Sequence, residues 1–149
     1  MKFFTFKRFV FLIIVILVII QFVPVERSNP PESAPLVAQK EVAHILKTSC
    51  YDCHSNQTVW PWYSNVAPVS WILIDHVKEG RRHLNFSNWN EYQGKKKLKK
   101  LDELIEEVEE GNMPLEGYLK LHKDAILSTE TKEKLLDWAH SEMDSVSLD

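Results

Sequence analysis

Two cysteines, Cys50 and Cys53, stand three residues apart with His54 directly after the second, and the chain has no others. A C-x-x-C-H run is the attachment sequence of a c-type haem. Its two thiols add to the two vinyl groups, and the histidine beside them offers its imidazole to the iron. A chain that holds so large and flat a group must build its fold around it. With 149 residues there is room for one small core. The motif therefore predicts a single domain wrapped around one covalent haem c. Three other uses of the same residues compete with that reading. A Cys50–Cys53 disulfide is one, although the βαβ setting of a thioredoxin-like site is absent. A zinc site with His54 and either His44 or His76 is another, without a second C-x-x-C or an H-x-x-x-H pair to support it. The third is a pair of inert thiols.

The amino terminus is unlike the rest. Lys2, Lys7 and Arg8 precede an apolar run over 9–23 in which Gln21 is the only polar residue. A basic flank before such a run reads as an export signal or anchor, and 3–25 is about as long as the roughly 20 residues that span a bilayer. No small-residue cleavage site follows, since the run ends Gln21-Phe22-Val23-Pro24-Val25-Glu26, so retention as a transmembrane helix over 1–25 is expected. The positive-inside bias then places the rest on the periplasmic side of the cytoplasmic membrane. Setting Lys2, Lys7 and Arg8 aside leaves 15 basic against 21 acidic side chains beyond the leader, a net of −6. That balance argues against nucleic acid and suits a basic partner.

Residues 26–35 carry Pro30, Pro31 and Pro35 among Ser and Asn, the composition of an extended tether. The domain is expected over 36–149. Ala38, Val42, Ile45 and Leu46 recur at helical spacing and lead into Cys50. An aromatic loop with Trp60, Trp62 and Tyr63 follows. Val69, Ile72, Leu73 and His76 then predict one apolar helical face ending at Gly80. Leu98, Leu101, Leu104, Ile105 and Val108 predict a longer helix stopped by Gly111. Its lysines come early and its glutamates late, an order that opposes the helix dipole. Ser128 is a good cap for a last helix with Leu135, Leu136, Trp138, Ala139 and Met143 on its apolar side. No run of alternating β-branched residues follows the leader, so the fold class is all-α.

An electron carrier of this type needs a second axial ligand. Met113 is the only internal methionine before the last helix, and it sits in a Gly111-Asn112-Met113-Pro114 break where proline stiffens the backbone. A thioether favours reduced iron and raises the potential relative to a second imidazole. His76 falls on the expected apolar face, as a rival ligand or a satisfied buried histidine. His83 lies beside Arg81 and Arg82 in a loop, a group that suits the haem carboxylates or equally a solvated patch. His44, His122 and His140 are assigned to structure or surface. Any of the five tryptophans, Trp60, Trp62, Trp71, Trp89 and Trp138, is a candidate for the haem crevice.

These residues together resemble a family, the cytochrome-c-like haem-binding domains of exported bacterial c-type cytochromes. The resemblance rests on Cys50 to His54 with Ser55-Asn56 and Trp60-Pro61-Trp62-Tyr63 after it. It extends through Gly80-Arg81-Arg82 and Asn85-Phe86-Ser87 to Trp89, then Met113-Pro114, Tyr118, His122 and Trp138. It covers residues 36 to about 143. It implies a helical fold whose first and last helices pack across each other, with haem c on the outer face of the membrane, and it supports Met113 as the distal ligand. The expected activity is electron transfer under His54 and Met113, with redox proteins as partners and no enzymatic reaction, since no nucleophile or base is evident. Two alternatives from other classes stand beside it. One is a haem-based sensor with an open sixth position, and the other is a haem-free, disulfide-bonded interaction domain.

Overall fold

The structure is a computed structural model that describes residues 2–147, so the last two residues of the expected domain, Leu148 and Asp149, lie outside the described residues. Every regular element among the described residues is helical. Helix α1 runs over Lys2–Ile19, and the membrane span expected there is overturned. No helix among the described residues is long and apolar enough to cross a membrane. Lys2, Lys7 and Arg8 occupy the first two turns, leaving about 11 apolar residues before Ile19. At 1.5 Å per residue they cover roughly 16 Å of a hydrocarbon layer about 30 Å thick. Beyond Ile19 the chain tightens into a 3₁₀ turn over Ile20–Phe22 and leaves it extended at Val23. Counting 3–25 as one span had joined a basic start and an extended exit to a short apolar middle. The single-pass placement of the domain falls with it.

The exit of α1 is tied to the domain. The Gln21 amide donates to the Ala67 carbonyl (3.0 Å) and accepts from the Ala67 N–H (2.9 Å), and Arg27 donates to the Ser64 carbonyl. The proline-rich segment has no helix or strand, bends at Ser33 and Ala34, and lies along the domain. The Ala34 and Leu36 N–H groups donate to the Ser87 and Phe86 carbonyls.

Helix α2, Lys40–Ser49, buries Val42, Ile45, Leu46 and Ser49 at the spacing of one helical face. A single turn, α3, Tyr51–His54, follows directly. Helix α4 covers Val69–His83, α5 Gly94–Glu109, the short α6 Glu116–Leu119 and α7 Thr129–Ser147. Ser128 caps α7, accepting from the Thr131 N–H at 3.2 Å. The core joins α2, α5 and α7, with Leu46, Leu101, Leu135 and Ala139 fully enclosed beside Phe86 and Trp89 from the α4–α5 connection. First and last helices of the domain, α2 and α7, are in contact.

Two readings of α4 are corrected. Its buried face is Ser70, Ile74 and Val77, whereas Val69, Ile72 and His76 are exposed. Gly80 does not end the helix, which continues to His83. A Cβ at Gly80 would stand 2.6 Å from the Cys53 carbonyl oxygen, so the glycine is there to let α4 pack directly on α3. The lysines that oppose the dipole of α5 are also accounted for. Lys97 pairs with Glu142 of α7 (3.2 Å), Lys100 with Glu103 (2.8 Å), and Lys132 of α7 donates to the Glu109 carbonyl at the helix end (2.9 Å).

Candidate functional site

Cys50, Cys53, His54 and Met113 line one cavity of about 560 Å³, inside the roughly 300–1,000 Å³ range of cofactor sites. Leu84, Phe86, Leu104, Val108, Leu127 and Leu135 give it apolar walls. The attachment residues form a single helical turn because the Cys53 and His54 N–H groups both donate to the Cys50 carbonyl, at 3.2 and 2.9 Å. Residues three apart on such a turn share a side, which carries both thiols to the same wall. Burial pushes the Cys50 thiol up to about 12, with Cys53 adding to the effect. It likewise pushes Cys53 up to about 11, Asp52 adding and Arg81 opposing.

His54 is held by backbone alone. Its Nδ1 lies 3.0 Å from the Gly80 carbonyl oxygen and 3.0 Å from that of Leu84. Two acceptors fix the proton on Nδ1, so Nε2 keeps its lone pair, the arrangement of a metal-ligating imidazole. Burial holds this imidazole below the ordinary histidine range, and the Leu84 and Gly80 carbonyls act the other way. The ring is neutral and oriented before any ligand arrives.

Met113 approaches from a different part of the chain. Gly111 takes a positive φ of 76° as the chain leaves α5, and the Met113 N–H then donates to the Glu107 carbonyl (3.0 Å). That fold-back brings a partly buried Met113 to the cavity wall. The two sides are joined through Tyr118 and His122. Tyr118 donates its hydroxyl to Asp52 Oδ2 (2.8 Å), while Asp52 Oδ1 accepts from the Val59 N–H (2.9 Å). Burial, with the Asp52 hydrogen bond next, raises the Tyr118 phenol well above its usual range, so its proton stays in place. Tyr118 also stacks on His122, ring centroids 4.1 Å apart, and His122 Nε2 lies 2.7 Å from the Tyr63 hydroxyl. Sequence reasoning assigned His122 to structure or surface and named no partner for it. Asp52, between the two cysteines, was the available signal, because a carboxylate there needs a donor.

Other assignments change. Arg81 is turned away from the cavity and knits the chain together, donating to the Ser55 and Ser28 carbonyls, Asn29 Oδ1 and Thr58 Oγ1. Arg82 pairs with Glu79. His83 ends α4 instead of sitting in a loop, and it reaches the cavity wall with His76. None of the tryptophans lines the cavity. Trp89 is buried in the core 5.8 Å from Trp138, and Trp62 is 76% exposed. The aromatic rings at the wall are Phe86 and Tyr118. No group of three His, Cys, Asp or Glu among the described residues is arranged to hold a metal ion by itself.

A family model described as a haem-binding domain matches residues 15–141. The chain belongs to the haem-binding domain family. It is therefore a haem-binding protein, and the match begins inside α1, taking in Gln21, Arg27 and the proline-rich segment packed on the domain. No curated protein matches the chain, and no solved structure does. The residues of this haem-binding domain fit its cofactor: an oriented imidazole, two thiols on one turn, a thioether and apolar walls.

Proposed function

We propose that the protein carries one covalent haem c, attached through Cys50 and Cys53, with His54 and Met113 as its axial ligands, and that it serves as an electron carrier. The observation that carries this reading is His54, whose Nδ1 is committed to two carbonyls in the same cavity that Cys50, Cys53 and Met113 line. When bound, the haem supplies one-electron exchange between ferrous and ferric iron. The chain's own residues do the rest. Each attachment adds one S–H across one vinyl group: a C–S bond forms, the hydrogen goes to the neighbouring carbon, and no electron is exchanged. Burial pushes both thiols up, which disfavours the thiolate at the folded wall. His54 then needs no proton rearrangement to ligate iron, and the apolar walls exclude water, which limits reorganisation as the charge changes.

The test is maturation of the full chain in a host that attaches c-type haem, followed by intact mass and a haem stain under denaturing conditions. One added haem that survives denaturation, and is lost when both cysteines are replaced by alanine, is the expected result. A chain that binds haem but releases it on denaturation overturns the covalent reading. A colourless chain from a host that matures a control cytochrome points instead to the Cys50–Cys53 disulfide.

A further inference from the structure

A c-type haem brings two carboxylates with it, and an apolar cavity must give at least one of them a cationic or hydrogen-bonding partner. Of the group that sequence reasoning offered, Arg81 is committed to four acceptors on the outer side of α3, Arg82 to Glu79, and His83, at the cavity wall, has its Nε2 3.7 Å from Glu79 Oε2. Among the described residues that line the cavity, Lys100 of α5 is the only lysine or arginine. Its side chain is 15% exposed, low for a lysine, and its Nζ lies 2.8 Å from Glu103 Oε2. The lysine is thus already ordered on a carboxylate at the cavity wall. Glu103 has a second cation within reach, since its Oε1 lies 3.6 Å from Lys99 Nζ on the exposed face.

We infer that Lys100 is the anchor for a haem carboxylate, and that Glu103 is its exchangeable counter-ion, passing to Lys99 when the cofactor's carboxylate takes its place. The inference rests on haem occupying this cavity, not on covalent attachment or electron transfer. The geometry makes the exchange nearly neutral in charge. Lys100 trades one carboxylate for another, and Glu103 keeps a cation three or four residues away on the same helix. A carboxylate paired with an ammonium ionises at lower pH than an unpaired one, typically by about one unit or more. Ionisation of a carboxylate at the haem edge favours the ferric state, so the reduction potential falls as pH rises through that ionisation.

The experiment follows the reduction potential of the bound haem against pH in the full-length holoprotein, for the native chain, Lys100→Met and Glu103→Gln. Glu79, His76 and His83 of α4, Glu107 of α5 and Asp52 of α3 also face the cavity. They are the same in all three proteins, so differences between the curves belong to the substituted pair. Lys100→Met is expected to lower the potential and to move the break in the curve up by about one pH unit. Glu103→Gln is expected to raise the potential and move the break down, because Lys100 loses its competitor. Curves for Lys100→Met that superimpose on the native one overturn the inference, as does a break that moves in Glu103→Gln alone. A haem stain on the same samples scores covalent attachment separately, so loss of the c-type reading leaves this result standing.

Discussion

The two sides of the haem cavity are built to different standards. On the Cys50–His54 side every part is held twice. Two N–H groups close the α3 turn on one carbonyl, two carbonyls hold the His54 ring, and α4 presses so near that Gly80 has no room for a side chain. On the Met113 side, one backbone hydrogen bond from Met113 to Glu107 and the side-chain links Tyr118–Asp52 and His122–Tyr63 tether the segment. The contrast teaches that the imidazole is pre-positioned by the fold, whereas the thioether arrives on a segment with fewer restraints, so of the two proposed ligands Met113 would be the one more readily exchanged or lost.

The largest effect that breaks this comparison is expected from the ligands themselves. His54→Gln should remove the low-spin spectrum and most of the bound haem. Met113→Ala should keep the haem and open the iron to carbon monoxide in the ferrous state. If both variants bind carbon monoxide equally while keeping full haem, the two sides are equivalent and the contrast is wrong. Next in size is Gly80→Ala. Forcing a methyl into the α3–α4 contact should destabilise the holoprotein by about 1–3 kcal/mol in a denaturant titration. Gly111→Ala, which strains one positive-φ position in open space, should show about 1 kcal/mol.

A smaller effect sharpens the comparison. Tyr118→Phe deletes one of the two side-chain links described between the two sides, the other being His122 to Tyr63, and should lower stability by about 1–2 kcal/mol. Carbon monoxide should then bind faster, because Met113 dissociates more readily; an unchanged rate would mean that Tyr118 does not restrain the Met113 segment. The least conspicuous effect is chemical. In the haem-free chain under native conditions at pH 8, a thiol raised from 9.0 to about 11 has about 100-fold less thiolate, and alkylation should slow accordingly relative to the chain in urea. Equal rates would show that the wall around Cys53 does not form without haem.

How much of this was legible beforehand follows the kind of signal each part carries. That Cys50, Cys53 and His54 share one wall was readable from their spacing, and that Met113 joins them at the same cavity from an isolated methionine beside a glycine and a proline. Helices α2, α5 and α7 announced themselves through Val42, Leu46, Leu101, Ile105 and Leu135, which recur on one face. The face of α4 was misread because its inner contact is made by small residues, Ser70 and Gly80, which carry no hydrophobic signal. The length of an apolar run likewise misled at α1, where hydropathy cannot see that the helix stops at Ile19. The Asp52–Tyr118–His122–Tyr63 connection spans most of the domain's sequence, and pairing at such distance leaves no local pattern.

The two acceptors of His54 belong to residues 80 and 84, the final turn of α4 and the residue that caps it. With His54 as the proposed iron ligand, its donor strength would be set by the negative end of a helix, not by a side chain. No single amino-acid replacement deletes a carbonyl. Descendants of this chain would then retune the iron through the Met113 side by changing one codon, but through the support of His54 only by rebuilding where a helix ends.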